Sequence, residues 1–225
     1  MLINPIAYIQ TEFPEKFGVP RQSGLAGSLR GKIVFTEPYR NHEALRGLEG
    51  FSHLWLIWEF SANIHKDQWQ PTVRPPRLGG NERMGVFATR SPFRPNSLGL
   101  SCVEIDHIVS DSPDGPLIIV KGADLMDGTP IYDIKPYIKY ADSRPHAVCG
   151  YVDGLGERAL EVFIPKEVAA GVEDKCILEA LVETLRLDPR PSYHDDPDRI
   201  YGLSFAGLNV RFKVFLRKLT VIGID

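Results

Sequence analysis

Apolar residues fall in short runs bounded by Pro and Gly, the pattern of β-strands joined by tight turns rather than of long amphipathic helices. It predicts strands at Ile3 to Ile9, Gly31 to Phe35, Phe51 to Phe60, Gly85 to Thr89, Gly99 to Val109 and Pro116 to Ala123. The run Phe51 to Phe60 is rich in aromatics and reads as a buried central strand, with His53 a hydrogen-bonded core histidine. Asn41 is placed to cap a short helix to Leu48. The turn cluster at 110–115 makes the last two strands a hairpin. Beyond it, Asp124, Asp127 and Asp133 surround a Gly-Thr-Pro turn. Many short strands with one short helix predict an antiparallel barrel in place of alternating βαβ units.

Around Asp142-Ser143-Arg144-Pro145 the pattern changes. A boundary at 142–157 separates an N-terminal domain, residues 1–145, from a C-terminal domain, residues 157–225. The latter reads as a strand from Ala159 to Ile164 and one helix from Pro165 to Leu187, with Ile177, Leu178, Leu181, Val182 and Leu185 on one face. Strands at Tyr201 to Phe205, Asn209 to Leu216 and Leu219 to Ile224 follow. The expected fold class is mainly β: an antiparallel β-barrel followed by a small α+β domain.

Composition narrows the class. Apolar residues make up 43% and charged residues 24% of 225, as in a soluble globular protein. No apolar run reaches the roughly 20 residues that span a bilayer, and the N-terminus lacks a basic stretch leading into an apolar core, so a cytoplasmic protein is expected. Cys102, Cys149 and Cys176 show no Cys-x-x-Cys spacing and read as reduced, mostly buried thiols. A net charge of −3 argues against broad non-specific nucleic-acid binding.

The charge is unevenly spread. Residues 71–100 hold five Arg and no Lys against one acid, Glu82. Within that window Arg90, Arg94 and Asn96 sit among Pro92 and Pro95, a turn stiffened by two rings that fix φ. Planar guanidinium forks suit oxyanions and flat groups held in fixed geometry. Pro20-Arg21-Gln22-Ser23-Gly24 repeats this chemistry earlier in the chain. No phosphate-loop motif occurs, Gly154-Leu-Gly156-Glu-Arg-Ala159 lacks the βαβ context of a dinucleotide fingerprint, and the acidic run at His194, Asp195, Asp196 and Asp198 reads as a solvated loop, so no metal is expected.

The run Gly85-Val-Phe-Ala-Thr-Arg90-Ser-Pro-Phe-Arg94-Pro-Asn96-Ser-Leu-Gly99 combines with Pro20-Arg21-Gln22 before it and with Asp124-Leu-Met-Asp127-Gly-Thr-Pro after it. Together they resemble the TsaA/TrmO family of tRNA methyltransferases, and Asp-Pro-Arg-Pro-x-Tyr at 188–193 resembles the C-terminal domain of its bacterial branch. The resemblance implies a barrel enzyme that binds S-adenosylmethionine and methylates N6 of threonylcarbamoyladenosine at position 37 of tRNA, beside the anticodon. It also implies a homodimer with the cofactor near the subunit interface. By match of motif the cofactor residues are Pro20, Arg21, Gln22, Ser61, Ala62, Arg90, Leu100, Asp124, Leu125, Met126 and Asp127. Leu100, Leu125 and Met126 could wall an adenine, aspartates suit ribose hydroxyls and the methionine ammonium, and Arg or Gln suits its carboxylate. Arg94, Asn96, Arg190 and Tyr193 are the expected substrate residues: Arg94 or Arg190 for the threonyl carboxylate, Tyr193 for the modified base. Two other readings of the same residues are a non-enzymatic nucleotide- or RNA-binding barrel and a metal-dependent phosphoesterase using Asp127, Asp133 and the His194 region.

Overall fold

A computed structural model describes residues 2–63, 69–156, 159–191 and 196–225. In chain order the strands of the first half are β1 (Ala7–Gln10), β2 (Arg30–Phe35), β3 (His53–Glu59), β4 (Thr72–Val73), β5 (Met84–Gly85), β6 (Leu98–Val109), β7 (Leu117–Lys121) and β8 (Thr129–Pro136). They are followed by α1 (Lys139–Asp142), β9 (Glu161–Phe163), α2 (Lys166–Ala169), α3 (Lys175–Arg186), β10 (Tyr201–Phe205), β11 (Leu208–Phe215) and β12 (Lys218–Ile224). Among the described residues no helix is long and apolar enough to cross a membrane.

Six strands close into a barrel in the order β1-β2-β7-β6-β3-β8, every neighbouring pair antiparallel. Closure removes the sheet edges that would otherwise invite pairing with another chain. In β3, Leu54, Leu56 and Trp58 are buried while the residues between them are half-buried. The expected central strand is therefore a barrel stave with one inner face, and His53 lies half-buried with Nδ1 2.8 Å from Ser52 Oγ, outside the core. Strand β8 escapes the sequence pattern because Asp133 and Lys135 interrupt its apolar positions. Pro130 and Pro136 lie near its two ends, where a missing N–H is tolerated.

Four other expectations change in detail. The strand at Gly85 stops at once, because Val86–Ala88 forms a 3-10 turn. Residues 42–50 form two 3-10 turns separated at Gly47, whose φ of 87° ends the first; Asn41 does cap, accepting from the Glu43 amide at 2.9 Å. The helix expected over 165–187 is two pieces, the second opened by Asp174, whose carboxylate accepts from the Cys176 amide at 2.8 Å. Cys149 and Cys176 are exposed and Cys102 is half-buried, so the thiols are not the buried set expected.

The C-terminal sheet has the order β10-β11-β12-β9, with β9 parallel to β12. Leu181 and Leu185 of α3 pack on Leu203, Phe205, Phe212 and Val221. The same core takes in Phe13, Ala26 and Leu29, which belong to the β1–β2 connection. Phe13 lies edge-on to Phe205 at 5.3 Å and is 1% exposed; burial of such a side chain contributes about 2–3 kcal/mol. The Ser28 amide donates to Glu183 Oε2 of α3 at 2.8 Å, and the Ala206 amide donates to the Glu12 carbonyl at 2.8 Å. The connection from β1 to β2 thus leaves the barrel, docks into the C-terminal core and returns.

Candidate functional site

Because every barrel pair is antiparallel, alternate connections emerge at the same end. That end gathers residues 11–29 between β1 and β2, 60–97 between β3 and β6, and 122–128 between β7 and β8. These contain all three loops whose sequence suggested a binding site. They surround a cavity of about 1190 Å³. Single-ligand sites run to roughly 300–1,000 Å³, so this one has room for a cofactor together with a base.

The floor of the cavity is a chain of hydrogen bonds running between strands. Trp58 Nε1 donates to Ser101 Oγ at 3.0 Å, and Ser101 Oγ donates to Asp124 Oδ1 at 2.5 Å. Ser101 is 2% exposed, and among the described residues this relay satisfies its hydroxyl. Burial pushes the Asp124 carboxyl above the usual carboxylate range, while the Ser101 hydroxyl and the positive charge of Arg90 act against that rise. Gly24 and Gly122 bring two of the loops together. The Gly24 amide donates to the Gly122 carbonyl at 2.8 Å, and a Cβ on Gly122, whose φ is 68°, would stand 3.0 Å from the Gly24 Cα.

On the wall above, Arg90 Nη1 donates to Gln22 Oε1, and Gln22 Nε2 donates to the Arg21 carbonyl. Arg21 Nη2 reaches the Arg190 carbonyl at 3.4 Å, which ties the Pro20–Gln22 loop to the C-terminal domain. Arg74, Arg77, Arg83 and Arg94 line the same cavity.

The family model of the tRNA-methyltransferase O N-terminal domain matches residues 8–143, and that of the TrmO C-terminal domain matches residues 157–225. The chain belongs to the TrmO family. It is 41% identical over 219 residues to the tRNA (adenine(37)-N6)-methyltransferase of Escherichia coli K12, covering 93% of this chain and 91% of that one. It is 38% identical over 233 residues to a putative S-adenosylmethionine-dependent methyltransferase, RcsF, of Pseudomonas aeruginosa PAO1, covering 99% and 98%. The crystal structure of TrmO from P. aeruginosa superposes with a TM-score of 0.79 at 31% identity, over all of this chain and 98% of that one.

In this TrmO-family chain the structure brings Pro20, Arg21, Ser61, Ala62, Arg90, Leu100, Asp124 and Met126 to the cavity wall. Gln22 stands behind them, bracing Arg90. Leu125 points elsewhere: it is 1% exposed and packed in the barrel core, so it is no wall for an adenine. Asp127 accepts from the Thr11 amide at 3.0 Å and holds the end of β1.

Among the expected substrate residues, Arg94 lines the cavity, but its Nη1 donates to the Thr89 carbonyl at 2.7 Å and the Val86 carbonyl at 3.3 Å. Asn96 is exposed outside the cavity wall. Arg190 does not present a free fork. Its Nε and Nη2 donate to the two carboxylate oxygens of Asp188 at 2.8 and 3.0 Å, in a pair whose side chains are 11% and 18% exposed. Asp188 has a left-handed φ of 52°, and the Asp188–Arg190 pair closes the turn after α3. Tyr193, and with it His194 and Asp195, lie outside the described residues.

Trp58 and Ser101 were missed by the sequence reading. Their signal was present: Ser101 is the polar residue at an inward position of β6, between Gly99 and Val103. Lys16 and Tyr151, also on the wall, lie in segments with no periodicity to place them.

Proposed function

We propose that this chain transfers a methyl group from S-adenosylmethionine to N6 of adenosine 37 in tRNA, in the cavity at the open end of the barrel, and that the adenosine carries a threonylcarbamoyl group. The convergence of three sequence-distant loops on one cavity, with the Asp124–Ser101–Trp58 relay at its floor, carries this reading. Family membership supplies the reaction, and the residues present fit the cofactor. Asp124 is a half-buried carboxylate that a hydroxyl or ammonium group of a ligand would stabilise in its charged form. Arg90 offers a guanidinium for a carboxylate, and Leu100 and Met126 are apolar neighbours for a purine.

S-adenosylmethionine held by these residues would supply an electrophilic methyl for the N6 lone pair, the C–S electron pair passing to sulfur and the N6 proton leaving to solvent or a base as the N–C bond forms. The protein holds acceptor and donor in line and need not stabilise a developing anion. Such alignment can supply roughly 7–11 kcal/mol of a barrier. Gln22 orients Arg90, Ser101 orients Asp124, and the buried indole of Trp58 fixes Ser101. The target base of an anticodon loop is already single-stranded and enters a pocket at modest cost.

The same proposal includes a homodimer acting in the cytoplasm. Tyr140 and Val148, in the segment that joins the two cores, are 89% and 88% exposed, apolar surface that a second copy would cover. The test is transfer of labelled methyl from S-adenosylmethionine to tRNA with and without the threonylcarbamoyl group. Label in the modified tRNA alone is expected. Binding of both partners without transfer would refute the enzymatic reading, and sedimentation as a single chain would refute the dimer.

A further inference from the structure

The long connection between β3 and β6 does more than close the cavity. Strands β4 and β5 pair Thr72 with Gly85 and Val73 with Met84. The ribbon continues as the Val86 amide donates to the Pro71 carbonyl at 2.9 Å. Val86 is fully buried and anchors this ribbon to the molecule. Its geometry sets Trp69, just before β4, against Phe87, just after β5, with ring centroids 5.8 Å apart and planes 32° from parallel. Neither ring is buried: Trp69 is 50% and Phe87 70% exposed, and nearby Phe93 is 55% exposed. Arg94 braces the platform, its Nη1 donating to the Val86 and Thr89 carbonyls at the two ends of this turn and its guanidinium lying 5.9 Å from the Phe87 ring centroid.

Around these rings the charge has one sign. Arg74, Arg77 and Arg83 share the cavity wall with Trp69, and Glu82 is the only acid in residues 71–100. Among the described residues none of the three is paired with a carboxylate, and the buried Nε of Arg77 has no hydrogen-bond partner. Exposed aromatic faces interleaved with guanidinium groups suit unstacked bases and backbone phosphates. An apolar protein partner would leave these cations without counter-charges.

Resting on the tRNA-methyltransferase reading, we propose that Trp69 and Phe87 form a stacking step for the nucleotide next to the target adenosine, with Arg74, Arg77 and Arg83 receiving the phosphates of the anticodon loop. Arg94 is a positioning residue for this step.

The experiment measures binding of anticodon stem-loop RNA to the full chain, using RNA that is intact or carries an abasic nucleotide on either side of the target. Trp69→Ala and Phe87→Ala are each expected to weaken binding of intact RNA by roughly 10- to 100-fold, with S-adenosylmethionine affinity unchanged by calorimetry. Trp69→Phe and Phe87→Tyr retain most of the binding. One abasic position should weaken binding to the wild type but add little to the loss in the Trp69→Ala/Phe87→Ala variant, because the stack is already gone. Additive losses from the abasic position and the alanines would overturn the proposal. So would sedimentation showing that the alanine variants split an assembly of this chain, which would make the rings a self-association surface. Failure of the wild type to methylate whole tRNA would instead count against the enzymatic reading and leave the binding result standing.

Discussion

Gly99→Ala tests whether the relay at the cavity floor depends on close packing. Gly99 lies opposite Trp58 in the β3–β6 register, and a Cβ there would stand 2.3 Å from Trp58 Cε2 and 2.5 Å from Cζ2. Ordinary carbon contacts are about 3.5–4.0 Å, so the indole must retreat by more than about 1 Å. Its Nε1 is 3.0 Å from Ser101 Oγ, and that displacement takes the pair beyond hydrogen-bonding distance. Overpacking contributes about 1–3 kcal/mol and the lost buried hydrogen bond about 1 kcal/mol, so a destabilisation of about 2–4 kcal/mol is expected. For a chain of this size that corresponds to a fall in Tm of the order of 10 °C, read by calorimetry. S-adenosylmethionine binding should weaken too, because Ser101, no longer held by Trp58, orients Asp124 less firmly. Trp58→Phe removes most of the atoms the new methyl would strike, so the double variant should lose less than the sum of the singles. A Tm within about 2 °C of wild type, with cofactor binding intact, would refute the reasoning.

Other perturbations separate support from chemistry. Burial raises the Asp124 pKa, so the folded chain holds that proton more tightly than the unfolded chain, and stability from this group is lost as pH rises through the folded value. Asp124→Asn should therefore melt no lower than wild type near neutral pH, the two curves converging towards about pH 4, while methyl transfer is lost; a lower Tm at neutral pH would count against this. Arg190→Ala removes the two side-chain donors of the Asp188 carboxylate and leaves only the Arg190 amide, at a cost of about 1–3 kcal/mol in urea unfolding, and Arg190→Lys should recover only part because it lacks the planar fork. A rise in the KM for tRNA without loss of stability would return Arg190 to substrate contact. Glu183→Ala removes the acceptor of the Ser28 amide and should speed limited proteolysis within residues 14–28; an unchanged cleavage rate would show that this hydrogen bond does not hold the loop.

The barrel was legible because its strands carry short apolar runs punctuated by Gly and Pro, and because the Arg-rich loop and the Asp124 turn announce their chemistry in residue type alone. What was illegible depended on distance. Asp127 and Asp124 look alike in sequence, yet one holds the end of β1 and the other meets Ser101, a partner 23 residues away. Leu125 and Met126 are adjacent, and strand-like alternation sends one into the core and the other to the cavity. Arg190 sits in a motif that resembles a binding turn, but its partner lies two residues before it, and only the backbone conformation at Asp188 reveals that the fork is already engaged.

The path of residues 11–29 explains why a small C-terminal domain accompanies the barrel. Pro20, Arg21 and Gln22 form part of the cavity wall or brace it, yet the chain around them is anchored through Phe13, Ala26 and Leu29 in the C-terminal core. A loop of this length loses substantial conformational entropy when ordered, and the barrel alone offers it little apolar surface. Docking into the second core supplies that surface, and the contact between Arg21 and the Arg190 carbonyl fixes the far side of the same loop. The two cores are therefore coupled through the cavity wall: whatever loosens α3 or the Asp188–Arg190 turn also loosens Arg21, and through Gln22 reaches Arg90. A bound cofactor would in turn stabilise the C-terminal domain without touching most of it.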